Sequence, residues 1–414
     1  MDATITTELG VFPSDWRVDR FDSLFDVQQG RQVSKKSRIG ENQQPFLRTK
    51  NVFWNRLDLA DLDKMHFSEA EETRLALKPD DLLICEGGDI GRTAIWRGAI
   101  SNCYYQNHLH RARIRTPEAA DAQFILFWLW YAFEFGNLYF GRGNVTTIPN
   151  LSQSRLCELP LAIPPLPEQR KIAGVLGLGQ RAMEQQERLI ALTAELKKAL
   201  LHQLFTQGLR GGPQKQTEIG PVPQSWEVVT IGDLFKFSSG KSRPDDTELT
   251  ASESRPFPVF GGNGILGYSG SFLLEESVLL LGRVGEYCGC AHHTDGCAWI
   301  SDNALYAKEI LGNIDTHYAA EYLAYANLNQ YSNRAGQPLI TQGIISEVKM
   351  PLPPLDEQRE ILEPLILLNR ELKHHEAKRN IIADLFRTLL HQLMTAQIRV
   401  HDLDLPGLET FTGG

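Results

Sequence analysis

No stretch of this 414-residue chain holds about 18 uncharged apolar residues in succession, so no membrane-spanning helix is expected. The opening Met-Asp-Ala-Thr-Ile-Thr-Thr-Glu has neither the basic nor the apolar part of a secretion signal. Cysteine is scarce. Cys85, Cys103, Cys157, Cys288, Cys290 and Cys297 show no framework spacing, so reduced thiols in a cytoplasmic protein are the expectation. An excess of positive charge is also missing. A net charge of −9 gives no support to a general nucleic-acid coat, whose domain would be basic, but leaves room for local basic patches. What is there is ordinary globular composition, 42% apolar and 22% charged, enough for two or three domains.

The chain repeats itself. "ELGVFPSDWRV" (8–18) returns as "EIGPVPQSWEV" (218–228), which aligns Trp16 with Trp226 at an offset of 210. "PPLPEQR" (164–170) returns as "PPLDEQR" (353–359), and "LLHQLFT" (200–206) as "LLHQLMT" (389–395), both at an offset of 189. The segment from the double proline to "LLHQL" therefore has a fixed length. The part before it is shorter in the second half, by the difference between the two offsets.

The fixed segment reads as a long helix, with Pro167 as a first-turn proline in one copy and Asp356 as an N-cap in the other. Apolar residues recur at heptad spacing: Val175, Leu178, Ala182, Leu189, Leu192, Leu196 and Ala199, then Leu365, Leu368, Leu372, Ile382, Phe386, Leu389 and Leu393. Two such stripes of equal length predict helices that pack on each other. Since each globular half precedes its own helix, the pair should be antiparallel. Gly174, Gly177, Gly179 and Pro364 weaken the helix starts, where a kink is expected. In the globular halves, "DLLIC" (81–85), "FPVF" (257–260) and "SVLLL" (277–281) read as buried strands, and "QFILFWLWYAFEF" (123–135) as a buried helix. The expected fold class is α+β: two mixed α/β domains joined by two long antiparallel, coiled-coil-like helices in a pseudo-two-fold tandem repeat. The boundaries are 1–160, 161–210 (central spacer helix), 211–349, 350–400 (distal spacer helix) and a tail at 401–414.

Chemistry motifs do not survive inspection. Gly262-x-Gly264-x-x-Gly267 has dinucleotide-loop spacing but is followed by Tyr-Ser-Gly-Ser rather than a helix. "SSGKS" (238–242) lacks the leading glycine of a phosphate-binding loop, since Phe235 stands there. "CGCAHHTDGC" (288–297) offers zinc ligands at unusual spacing with no counterpart in the first half, so a thiol-containing hairpin is the expectation. No methyltransferase motif, nuclease carboxylate cluster or nucleophile–base arrangement is present, and neither an enzymatic activity nor a cofactor is expected.

Binding features remain. Residues 31–56 hold seven Lys/Arg against one Glu, interleaved with amides and aromatics, a mixture that supplies phosphate grip and base-edge donors together. Lys35, Lys36 and Arg38 suit phosphates; Arg48, Asn51, Arg142 and Asn144 suit base edges. In "HLHRARIR" (108–115), alternation would set Arg111, Arg113 and Arg115 on one strand face, a pattern that a solvated surface would also show. The second half is less basic, with Lys236, Lys241 and Arg243 clustered.

Two variable domains, two equal helices and a repeated "PPLxEQR" resemble the specificity subunit of a Type I restriction-modification system. "FLRTKN" (46–51), "LLICEGGDIGRTAIW" (82–96), "YQNHLHRARI" (105–114), "TTIPNLS" (146–152), "FPVFGGNGILGY" (257–268) and "LLLGRVGEYCG" (279–289) carry the likeness further. The resemblance implies a non-catalytic subunit whose domains each read one half of a split double-stranded DNA target. It further implies that the helix pair sets the gap and that two methyltransferase and two translocase-nuclease subunits assemble on it, with no membrane involved. Lys50 and Arg92 in the first half, and Lys241, Arg243, Asn263, Arg283 and Gln337 in the second, complete the candidate DNA contacts. The alternative is a stand-alone bipartite DNA-binding regulator or scaffold.

Overall fold

The computed structural model describes residues 3–139, 150–333 and 338–403, with the backbone alone for Lys36. The chain divides into two compact units, residues 1–186 with 378–414, and residues 187–377. Each unit owns one globular domain, the first part of one long helix and the last part of the other.

In the first unit, Thr93–Ile95, Leu82–Cys85, Leu109–Ile114 and Phe25–Gln29 form an antiparallel four-stranded sheet in that order. Leu82–Cys85 is buried at every position, as a continuous apolar run in mid-sheet must be. A second sheet orders Tyr104–Tyr105, Gln43–Leu47 and Asp63–His66, the first pair parallel. The second unit repeats both. Its four strands are Ala291–His293, Leu279–Gly282, Ala304–Ile310 and Phe235–Ser239, and its three are Trp299–Ile300, Phe257–Gly261 and Gly264–Ser269. Thus the glycines of "GGNGILG" lead into a strand, and the segment is a hairpin. Much of the length difference lies there. A helical turn and the small hairpin Val52–Phe53 with Arg56–Leu57 intervene between Leu47 and Asp63, whereas Gly262 and Asn263 suffice in the second domain.

"QFILFWLWYAFEF" forms the helix Ala122–Trp130 and the π-helical turn Tyr131–Phe135. Apolar on all sides, this helix is enclosed by core. The arginine face of 108–115 turns inward at Arg111 and outward by Arg115. Arg111 is 4% exposed and paired with Asp26, and Arg113 holds the fully buried Asp81 through two 2.7 Å bonds. A buried carboxylate needs such a partner; Arg111 is thereby taken from the surface, whereas the Arg113 side chain remains 29% exposed and Arg115 is exposed.

The long helices run from Leu166 to Gln207 and from Leu355 to Met394, through the glycines and through Pro364. The carbonyls of Pro165 and Pro354 accept the first helical bonds. Asp356 accordingly lies inside the first turn, where its charge favours the helix dipole, and is not the N-cap. In the first unit Ile172, Ala173, Val175 and Leu176 share a core with Phe386, Leu390, Leu393 and Met394; a Cβ on Gly179 would sit 3.2 Å from the Phe386 ring. In the second unit Leu204 and Phe205 share a core with Ile361, Leu362 and Leu365. Within each unit, the start of one helix therefore meets the end of the other, as the antiparallel arrangement requires.

The expected seam needs correcting in the first helix. Leu178, Leu189, Leu192 and Leu196 are 37%, 40%, 51% and 56% exposed. An α-helix drifts about 20° per heptad against a strict seven-residue repeat. From Val175 to Leu196 the stripe rotates by roughly 60° on that basis, away from the packed face.

The heptapeptide has one structural task in both copies. Gln169 accepts from the Asp121 backbone N–H at 2.8 Å and donates to the Pro164 carbonyl at 2.9 Å. Gln358 accepts from the Asp315 N–H at 2.8 Å and donates to the Pro353 carbonyl at 2.8 Å. Asp121 and Asp315 are themselves the N-caps of the helices Ala122–Trp130 and Thr316–Ala326. Each glutamine thus fastens a domain helix to the long helix that follows it. The preceding Glu differs in its use. Glu357 accepts from the Trp226 indole at 3.0 Å, while Glu168 is bound by Arg399 at 2.7 Å and the Trp16 indole N–H has no partner among the described residues.

Candidate nucleic-acid interface

Three loops of the first domain are tied together by hydrogen bonds to backbone carbonyls. Asn51, 2% exposed, accepts from the Arg48 N–H at 2.9 Å and donates to the carbonyls of Asp58 and Asp61. Its amide shapes the 48–61 loop from within. Arg92, on the 86–92 loop, donates to the Thr49 carbonyl at 2.9 Å, stacks its guanidinium 5.0 Å from the Phe53 ring and pairs with Asp89. Leu151 N–H donates to the Glu86 carbonyl, and buried His110 donates from Nε2 to the Leu151 carbonyl at 2.8 Å. Burial lowers the His110 pKa, so this ring stays neutral and serves as a prop.

The cations around these loops are held loosely. Arg48 bonds Asp63 at 2.8 Å and Lys50 bonds Asp61 at 2.8 Å, with Asp61 83% exposed. The Asp61 hydrogen bond raises the Lys50 pKa and that bond lowers the Asp61 pKa. Solvated pairs of this kind are worth about 0–1 kcal/mol, so a phosphate could replace the carboxylate at little cost. Lys35 and Arg38 lie on the turn Lys35–Arg38, which Ser34 and Ser37 brace, and are exposed without an ion pair among the described residues. Arg142 and Asn144 lie outside the described residues, as does the Lys36 side chain.

In the second domain Lys241 and Arg243 are exposed and unpaired among the described residues, and Asn263 is exposed at its hairpin turn. Lys236 bonds Glu309 at 2.6 Å. Gln337 lies outside the described residues. Burial lowers the pKa values of His292 and His293, and among the described residues no three His, Cys, Asp or Glu side chains converge as metal ligands.

One correspondence escaped the sequence reading. Glu86 follows Leu82–Cys85 as Arg283 follows Leu279–Gly282. Glu86 N–H donates to the His108 carbonyl and Arg283 N–H to that of Asn303; the carbonyls of Glu86 and Arg283 accept from Leu151 and Ile340. Gly30 and Gly240 close the neighbouring strands in the same manner, bonding the carbonyls of Leu109 and Ala304. Glu and Arg are unlike residues; strand register equates them, and the flanking Leu82-Leu83 and Gly88-Asp89 against Leu279-Leu280 and Gly285-Glu286 are the signal that could have done so.

The model of the Type I restriction modification DNA specificity domain matches residues 13–200 and 223–382. A putative Type I restriction enzyme specificity subunit of Methanocaldococcus jannaschii is 24% identical over 413 residues, spanning 95% of this chain and 96% of that protein. The EcoprrI specificity subunit of Escherichia coli is 30% identical over 130 residues, 31% of this chain and 32% of its own. Among solved structures, the S subunit of a Type I restriction-modification system from M. genitalium superposes with a TM-score of 0.65 at 20% identity, covering 93% of this chain and 98% of its own. The repeated domain, found twice by the family model over most of the sequence, shows that the chain belongs to the Type I restriction-modification DNA specificity family.

Proposed function

We propose that this chain reads a bipartite double-stranded DNA target, one half per domain, while its two long helices fix the gap and dock two methyltransferase subunits, to which two translocase-nuclease subunits are added. The chain contributes recognition, and catalysis belongs to its partners. The observation that carries the docking is a duplicated outward face. Leu178, Leu192 and Leu196 are exposed on the first helix. Their equivalents in the second copy of the repeat, Leu367, Ile381 and Leu385, are 56%, 69% and 55% exposed. Apolar side chains exposed at the same places on two helices suit the same partner bound twice. Co-expression with methyltransferase subunits tests this. Leu192→Asp with Ile381→Asp should change stability by less than about 1 kcal/mol, as surface substitutions do, yet abolish co-purification. Retention of both methyltransferase subunits by a folded double variant would refute the docking.

A further inference from the structure

We propose that Glu86 and Arg283 are specificity residues at one equivalent position of the two domains, Glu86 accepting a hydrogen bond from the exocyclic amino group of a cytosine or adenine and Arg283 donating to a guanine. This rests on the bipartite DNA reading above.

The equivalence is fixed by strand register and by the matched backbone bonds, and the side chains point alike. Glu86 Oε2 lies 3.4 Å from the Gln29 amide nitrogen, and Arg283 Nη1 lies 3.4 Å from the Ser239 hydroxyl. Gln29 and Ser239 are themselves equivalent, as the last residues of the matching strands Phe25–Gln29 and Phe235–Ser239. The same scaffold therefore presents opposite charges in the two halves. Two domains built alike that read different half-targets must differ at such a point.

Both groups are positioned and unspent. The Glu86 side chain is 13% exposed and its Oε2 also lies 3.5 Å from His108 Nδ1, while Oε1 bonds nothing among the described residues. Arg283 is half-buried and, among the described residues, uses one long bond of the five its guanidinium can donate. Among the described residues, the backbone beside both groups is uncrowded. A Cβ added at Gly87, Gly88 or Gly285 would meet nothing within 4 Å, and Gly88 and Gly285 take φ of +77° and +86°, where glycine is favoured. A carboxylate beside DNA repels phosphate, so its useful partner there is a base amino group; arginine pairs best with guanine O6 and N7.

The test uses the full chain assembled with its methyltransferase subunits, bound to duplex libraries randomised one half-target at a time. Glu86→Gln should relax discrimination at one base pair of the first half by roughly 5- to 100-fold, leaving the second half and the gap unchanged. Arg283→Gln should do the same in the second half. Glu86→Arg should move the preference at that base pair toward guanine. Melting curves match each variant to the wild type, and the two sites are independent should one variant fail to fold. Unchanged preference at every position, or affinity lost evenly across all sequences, would overturn the proposal. A wild-type complex without a split target would bring down the bipartite reading beneath it.

Discussion

Gln169 and Gln358 use both ends of a buried amide on backbone groups, an arrangement no shorter side chain reproduces. Replacing either with Ala strands an N–H and a carbonyl; each variant should lose about 1–3 kcal/mol in denaturant titration, with similar losses in the two units. Sequence repetition marked these residues, yet their partners could not be read, because Asp121 and Asp315 lie 48 and 43 residues away. Arg399 illustrates the same limit. It bonds Glu168 and Asp15, and the hydrogen bond from Arg399 lowers the Asp15 pKa while those two carboxylates raise that of Arg399. Glu168 has a side chain only 10% exposed, so Arg399→Ala leaves a nearly buried carboxylate unpaired and should cost about 3 kcal/mol. The pH sign follows from Asp15. With its folded value below 3.8, its contribution is present above that ordinary value and fades as pH falls below it. Acid melts of the wild type should therefore lose stability there that Arg399→Ala has already lost. The base-reading expectation for Asn51 met a residue whose amide is consumed by its own loop, a fate invisible in "FLRTKN" because the Asp58 and Asp61 carbonyls become neighbours only on folding.

Helices were the most legible elements, since their length and count follow from a repeat and a periodicity. The segment from Glu168 to Phe205, bounded by the heptapeptide and "LLHQLF", lies within the observed helix Leu166–Gln207. The facing side chains were less legible, because apolar residues at heptad spacing mark an interface without saying what covers it. Leu192 and Leu196 belong to the outward face for this reason. Strand runs such as "DLLIC" were readable from their apolar content, whereas the sheet order was not, Leu82–Cys85 pairing with Thr93–Ile95 and Leu109–Ile114. If the helices act as a ruler, four residues inserted after Gln186 together with four after His375 extend each by about 6 Å. Methylome sequencing should then show the gap lengthened by about two base pairs, with both half-targets unchanged. An unaltered gap in an active complex would remove the ruler.

At the scale of the molecule, the net charge of −9 and the exposed Lys35, Arg38, Lys241 and Arg243 are compatible if phosphate contacts are few and local. Lys35→Ala and Arg38→Ala should each weaken binding evenly over all sequences and reduce the slope of log affinity against log salt by about one. A change of base preference would move these residues out of the phosphate-contact group. The family was legible because motifs spread along most of the chain agree; the equivalence of Glu86 with Arg283, only the second of which was a candidate from the sequence, was not, because equal scaffolds carry unlike side chains there. The glutamine fastening has a genetic corollary. Each domain is keyed to its helix by backbone groups and by a heptapeptide at the domain's own C-terminal border, so the joint does not depend on what the reading loops say. A crossover within the DNA encoding "PPLPEQR" splices a foreign first domain onto a helix that already holds the matching latch, and on the bipartite reading proposed above half of the target would be rewritten in a single recombination event.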